Sequence, residues 1–320
     1  MRVLVSGAGG FVGSALLRRL AAADFESIGI YRSSSAVGRA APAGRRLLGN
    51  LDSTQDWSGI PRSSHALIHA AARVHVMRDT AADPLLEYRR VNVEGTLNLA
   101  RQAAAAGLRR FVFISTIKVN GEATAGDAAF SADDPPAPLD PYGISKWEAE
   151  QGLRDLALRT GMEVVIIRPP LVYGPQVRGN FRSMLQWLKR GLPLPLGSVR
   201  NQRSLVYLDN LLDLIVDCID HPAAAGQTFL VCDAEALSTP ELLRRAGRAL
   251  GHPARLLSVP PAFITGAAAA LGKKQAASRL CGSLRVNMAK TTRMLGWTPA
   301  ASIDRGLEMT AESFLLETHA

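Results

Sequence analysis

The sequence is short of several things whose absence excludes whole classes of protein. It has three cysteines, Cys218, Cys232 and Cys281, odd in number and without a C-x-x-C pair. Neither a disulfide framework nor a thiolate metal site is expected, and a reducing, cytoplasmic setting fits. Its six histidines, His69 and His75 among them, form no pair at metal-ligand spacing on a helix, which predicts no metal centre. Long hydrophobic runs are missing too. The longest uncharged stretch, Leu256 to Gly272, is broken by Pro260-Pro261 and Gly266, against the roughly 20 continuous apolar residues of a spanning helix. It reads as a buried loop and helix rather than a membrane-surface segment, and no membrane partner is expected. The opening Met-Arg-Val-Leu-Val-Ser-Gly runs straight into a strand-like stretch, which predicts no signal peptide.

What is present is a chain of 320 residues, 47% hydrophobic and 20% charged, enough for one large core or two domains and unlike collagen, a disordered tail or a small disulfide scaffold. Basic side chains outnumber acidic ones by 37 to 28, a formal charge of +9. The excess lies in the second half: 17 basic against 15 acidic groups over residues 1–150, then 20 against 13 over 151–320. Such a balance suits an anionic partner. No lysine- or arginine-rich block with interleaved aromatics is present, so a nucleic acid is not the expected one. Arginine supplies 31 of the 37 basic groups, which suits bidentate recognition of phosphate.

Over the first 175 residues short apolar runs alternate with longer amphipathic ones, the pattern of a doubly wound α/β fold with a parallel sheet of Rossmann type. Strands are expected at Val3 to Ser6, Ser27 to Tyr31, Leu47 to Asn50, Ala66 to His69, Phe111 to Ser115 and Val164 to Arg168. Helices are expected at Phe11 to Ala22, Val91 to Ala106 and Ser145 to Thr160. From about Pro175, glycines and prolines interrupt a short helix at Phe181 to Lys189, and a smaller C-terminal lobe is expected over 176–203 and 233–320. Residues 204–232, with a strand near Ser204 to Leu208 and a helix from Asn210 to Asp220, are expected to return to the first domain.

Ser6-Gly7-Ala8-Gly9-Gly10-Phe11-Val12-Gly13 follows the first strand and opens the first helix. Glycines there permit a tight turn and close backbone approach, and the helix N-terminus offers free N–H groups to a pyrophosphate. An ordinary glycine-rich turn is the alternative reading, but the strand before and the helix after favour a dinucleotide. The second strand ends Tyr31-Arg32-Ser33-Ser34 with no carboxylate. An arginine there accommodates a 2′-phosphate, so NADP is favoured over NAD, although Arg32 can equally be a solvated charge. Asn50-Leu51-Asp52 is placed near the adenine by the same topology.

Tyr142-Gly-Ile-Ser-Lys146 sets a phenol and an ammonium one turn apart at the head of a helix. A nearby cation stabilises phenolate; lowering a phenol from near 10 to about 7 takes roughly 4 kcal/mol, to which Lys146 and a bound oxidised nicotinamide can both contribute. Taken alone, the pair is often no more than a helix-surface pair. Ser115-Thr116 ends a strand 26 residues before Tyr142, where strand ends face the ligand crevice of a parallel sheet.

With those motifs in order, the chain resembles the extended short-chain dehydrogenase/reductases of the NAD-dependent epimerase/dehydratase family. The likeness runs through His69-Ala-Ala, Asn92-Val-Glu-Gly-Thr96, Arg168-Pro-Pro-Leu-Val-Tyr-Gly-Pro175, Arg203-Ser-Leu-Val-Tyr-Leu-Asp209 and Leu295-Gly-Trp-Thr-Pro299. Within the family it is most similar to UDP-hexose 4-epimerases and to 4-reductases of UDP-4-keto-6-deoxy-N-acetylhexosamines in surface-polysaccharide pathways. The resemblance implies Tyr142 as acid/base, Lys146 on the nicotinamide ribose and Thr116 on the sugar 4-oxygen. It implies cofactor contacts from Gly7, Gly10, Phe11, Val12 and Gly13, from Arg32, Asn50 and Leu51, and from Ala70, Ala71, Lys146 and Pro169. A UDP-sugar diphosphate is expected at Asn180, Arg203 and Arg279, with Arg279 chosen over Arg285 by spacing alone, and a homodimer through Val91–Ala106 and Ser145–Thr160. Departures matter as well. Ile117-Lys118 stands where 4,6-dehydratases carry an acidic pair, so dehydration is not expected, and Leu171 and Asn50 replace the family's usual asparagine and aspartate. Hydride transfer at carbon 4 of a UDP-sugar is the expected chemistry: a 4-keto reductase with exchangeable NADPH is placed slightly ahead of a 4-epimerase retaining NAD. A non-catalytic NADP sensor or RNA binder of this fold is the reading from another class.

Overall fold

The computed structural model describes residues 1–33, 46–74, 83–270 and 274–319; Ser34 and His75, named above, lie outside them. Strands β1 (Arg2–Ser6), β2 (Glu26–Tyr31), β3 (Arg46–Leu48), β4 (Ala66–His69), β5 (Arg110–Ile114) and β6 (Glu163–Arg168) are followed by β7 (Leu171–Tyr173), β8 (Leu205–Tyr207) and β9 (Thr228–Leu230). Seven of them form one sheet in the order β3-β2-β1-β4-β5-β6-β9, every pair parallel. The chain winds outward from β1 to β3 and then resumes on the other side at β4. That reversal opens a crevice at the C-terminal ends of β1 and β4, where doubly wound folds hold their ligands.

Alternation along the strands feeds two cores. Val3, Val5, Ile68 and Val165 face α1 (Phe11–Ala22) and an apolar helix later in the chain, while Leu4, Leu67, Phe111 and Ile166 face the opposite layer. That layer consists chiefly of α3 (Thr96–Ala105) and α4 (Pro141–Thr160). Before α3 the expected single helix over 91–106 is instead α2 (Pro84–Arg89), capped by Asp83, followed by a π-helical turn over Arg90–Gly95. The widened turn carries the buried Asn92, whose amide bonds the N–H and carbonyl of Arg73 and the hydroxyl of Ser145.

The expected return of 204–232 to the sheet is met only at its end. β8 pairs with β7 in a separate two-stranded sheet, α6 (Leu208–Asp217) packs beside α1, and β9 alone joins the main sheet, next to β6. The other core gathers β7, β8, α5 (Gly179–Lys189), α7 (Thr239–Ala249) and the last helix, Ile303–His319. Between them lie α8 (Pro261–Ala270), α9 (Lys274–Cys281) and α10 (Ala289–Leu295), which make the last helix α11. The expectation of a buried helix within Leu256–Gly272 is corrected: no residue of α8 is buried, and Phe263 is 70% exposed. Only one side of the helix, at Ile264, packs on the lobe, and no element covers the other.

Candidate functional site

The turn after β1 is built from backbone in contact with backbone. Gly7 has φ +72°, and a Cβ there would lie 2.7 Å from the Ala71 nitrogen and 2.8 Å from the Ala70 carbonyl carbon; one on Gly13 would lie 2.2 Å from the Gly7 oxygen. Only glycine fits both positions. Gly10 precedes α1 without a side-chain cap, and no acidic residue occupies the first turn, so its N–H groups and the positive end of the helix face outward toward an anion. A diphosphate fits this cradle. Phe11 and Val12 pack their side chains onto the core below, and Ala70 holds the β4 loop to β1 through its N–H on the Ser6 carbonyl, 3.2 Å.

Around the cradle, Arg32 is exposed one residue beyond β2, and Asn50 is exposed beyond β3. Leu51 lies so close to Gly95 that a Cβ on the glycine would be 2.6 Å from the Leu51 carbonyl carbon. At the end of β6, buried Pro169 accepts a bond from the Ile117 N–H at 2.9 Å. His69, at the end of β4, is fully buried between the Ser6 hydroxyl at 2.6 Å and the Thr96 hydroxyl at 2.9 Å. Burial, then the nearby Lys146, hold its imidazole well below its usual pKa. It ties β1, β4 and α3 together as a neutral ring.

Asp140 starts α4 by accepting the Gly143 N–H at 2.7 Å, so Tyr142 is the second helical residue and Lys146 lies one turn on. Lys146 is buried, its ammonium 3.8 Å from the centre of the Phe113 ring. Burial pushes it down to about 7, opposed by the Glu150 carboxylate. Tyr142 is half-buried, with its ring 6.1 Å from that of Tyr88. Its phenol is pushed up, first by burial and then by Asp140 and Tyr88. The expectation that Lys146 lowers the phenol is therefore not met in the free chain: the lysine is itself desolvated and lies on Phe113, and no cation offsets the burial of the tyrosine. Thr116 is buried after β5, its hydroxyl accepting the Lys118 N–H at 3.3 Å. Lys118 bridges Asp140 and Glu122, so the residue that departs from the dehydratase pattern braces the start of α4.

Beneath this group lies a network that sequence reasoning missed. Glu150 is fully buried and accepts two bonds from Arg168, 2.9 and 2.6 Å, one from the Ser115 hydroxyl, 2.6 Å, and one from Arg154, 3.1 Å. Arg168 also donates to the Asn120 amide oxygen at 3.0 Å. The signal was available: Tyr142, Lys146 and Glu150 recur every fourth residue and so share one face of α4.

At the other end, Arg203 donates to the carbonyls of Arg279 and Gly282 at 2.7 and 3.1 Å, and the Arg279 side chain lies 3.6 Å from Glu122. Burial and the like charge of Arg279 lower the Arg203 pKa, an arrangement an anion would relieve. Arg285 is turned instead to Asp127. Asn180 is exposed in the first turn of α5, with no hydrogen bond among the described residues. The structure thus brings together Tyr142 and Lys146 on α4, and Arg203 with Arg279, and leaves Asn180 at the surface.

The family model described as "NAD dependent epimerase/dehydratase family" matches residues 3–232. The UDP-glucose 4-epimerase of Vibrio cholerae is 44% identical over 317 residues, covering 98% of this chain and 95% of its own. The N-acetyl-alpha-D-glucosaminyl-diphospho-ditrans,octacis-undecaprenol 4-epimerase of Escherichia coli O157:H7 is 26% identical, covering 97% and 94%. Among solved structures, the UDP-glucuronic acid 4-epimerase of Bacillus cereus in complex with NAD has the same fold, with a TM-score of 0.80 at 20% identity over 99% of both chains. The UDP-glucose 4-epimerase of Thermotoga maritima with UDP-glucose gives 0.79 at 20% identity over 100% of both. The chain is an enzyme of the NAD-dependent epimerase/dehydratase family.

Proposed function

We propose that the enzyme interconverts the C4 epimers of a UDP-linked hexose with NAD retained through the turnover. The observation that carries this reading is the placement of Tyr142 and Lys146 at the head of α4, beside the glycine cradle, in a chain 44% identical to the Vibrio cholerae UDP-glucose 4-epimerase. Bound NAD supplies the hydride acceptor and donor at carbon 4. Tyr142 takes the proton of the 4-hydroxyl and returns it, and Thr116 orients the 4-oxygen. Lys146, on the same face of α4, supplies the positive charge that makes phenolate accessible. Arg203 and Arg279 hold the diphosphate, with Asn180 at its edge, so that the sugar can turn about a fixed anchor.

The NADP preference expected from Arg32 finds no support in the relatives, whose family model and Bacillus cereus structure name NAD. Arg32 itself still favours the second reading, a 4-keto reductase using NADPH. The two separate on purification. For the epimerase, denaturing the protein releases NAD, and NMR follows either UDP-glucose to UDP-galactose or UDP-GlcNAc to UDP-GalNAc without added cofactor. Protein free of dinucleotide that oxidises NADPH with a UDP-4-keto sugar establishes the reductase. The homodimer expected through the helices now seen as α3 and α4 belongs to the same reading and is tested by sedimentation velocity.

A further inference from the structure

A helix on the surface of a soluble protein normally carries polar residues on its outer face. α8 carries none. Its inner line, Pro261, Ile264, Thr265 and Ala268, is half-buried, and its outer line includes Ala262, Phe263, Gly266 and Ala267, all exposed. The single hydroxyl, that of Thr265, is bonded back to the Pro261 carbonyl at 3.0 Å. Large apolar side chains are exposed on the adjoining segments: Leu257 just before the helix, and Leu280 on α9, which packs against α8. A patch of this kind marks a surface that meets something apolar.

The charge around it narrows the choice. No acidic residue occurs between Glu241 and Asp304, whereas Arg255, Lys274 and Arg279 flank the helix on both sides. A second copy of the chain would bring the same positive segment against itself. An anionic bilayer satisfies both features at once: the acyl region takes the apolar side chains and the headgroups take the cations. Among the described residues no helix is long and apolar enough to cross a membrane, so the contact is with the interface.

We infer that α8 and the basic residues beside it form a docking surface for acidic phospholipid membranes, with Phe263 as the inserted side chain. The inference stands apart from the sugar chemistry proposed above, and its test contains neither cofactor nor sugar. The full chain is floated with vesicles of phosphatidylethanolamine and phosphatidylglycerol, and in parallel with vesicles of phosphatidylcholine alone. The expected result is flotation with the anionic vesicles that weakens as salt is raised. Phe263→Glu should reduce partitioning about tenfold or more, and Lys274→Glu about fivefold or more, with thermal melts unchanged because neither replacement touches the core. Absence of wild-type flotation, or a Phe263→Glu variant that floats like wild type, overturns the inference. So does self-association in sedimentation velocity without vesicles that Phe263→Glu abolishes while leaving flotation intact, which assigns the face to a second copy.

Discussion

Tyr142 and Lys146 ride on a 20-residue helix whose next turn is locked by the buried Glu150–Arg168 pair, so the proton-transfer end of the cleft has a single arrangement available. At the diphosphate end, Arg203 and Arg279 sit on loop and short helix, and the Arg279 guanidinium is balanced by a partly exposed carboxylate, Glu122, that an incoming anion can replace. One end is preorganised for chemistry and the other is left adjustable for binding. The difference matches what each must do: proton transfer demands fixed geometry, whereas a charged ligand can draw exposed side chains into place.

Changes at the rigid end should therefore cost more than changes at the adjustable one. The largest effect is expected for Tyr142→Phe, which should fold, bind dinucleotide and lose turnover by about two to four orders of magnitude; turnover near wild type would remove the tyrosine from its role. Glu150→Ala strands Arg168 in the interior and should lower stability by about 3–5 kcal/mol, read in urea unfolding. A loss as small as that of a surface pair would show that the network does not lock α4. Arg203→Ala is expected to weaken UDP binding by roughly ten- to a hundredfold, the worth of charge-assisted bonds, with dinucleotide binding unchanged in calorimetry. Equal UDP affinity in both proteins would deny the arginine its anion.

The smallest effect is a slope with pH. Lys146 titrates near 7 in the folded, cofactor-free chain and near 10.5 when unfolded, so between those values the unfolded state binds the extra proton. Its contribution to stability rises with pH across that window, on the order of 1 kcal/mol per pH unit at most, and falls away below pH 7. Lys146→Met should flatten the rise in denaturation curves taken at successive pH values. An unchanged slope would mean that the lysine is hydrated rather than buried.

Much of the rigid end was legible in the sequence, because parallel strands buried on both faces read as short apolar runs and the glycines that close the cradle stand together. What joins those parts was not. Glu150 meets Arg168 and Ser115, and His69 meets Ser6 and Thr96, across separations no local pattern records. The π-helical turn that carries Asn92 likewise looks like ordinary helix in sequence. β8 read correctly as a strand, but its partner, β7, depended on the fold of the second lobe. α8 misled for a simpler reason: composition says which residues favour leaving water, not whether anything in the same chain is there to cover them.

The bond from Arg203 to the Arg279 carbonyl has a consequence for how distant events add up. It fixes the segment that carries both the second arginine and the wall against which α8 rests, so one displacement is felt at both places. Thermodynamic linkage then sets a symmetric rule. Whatever factor a surface engaged by α8 applies to diphosphate affinity, the bound diphosphate applies to the affinity for that surface. The free energy of their coupling is a single quantity, measurable from either side.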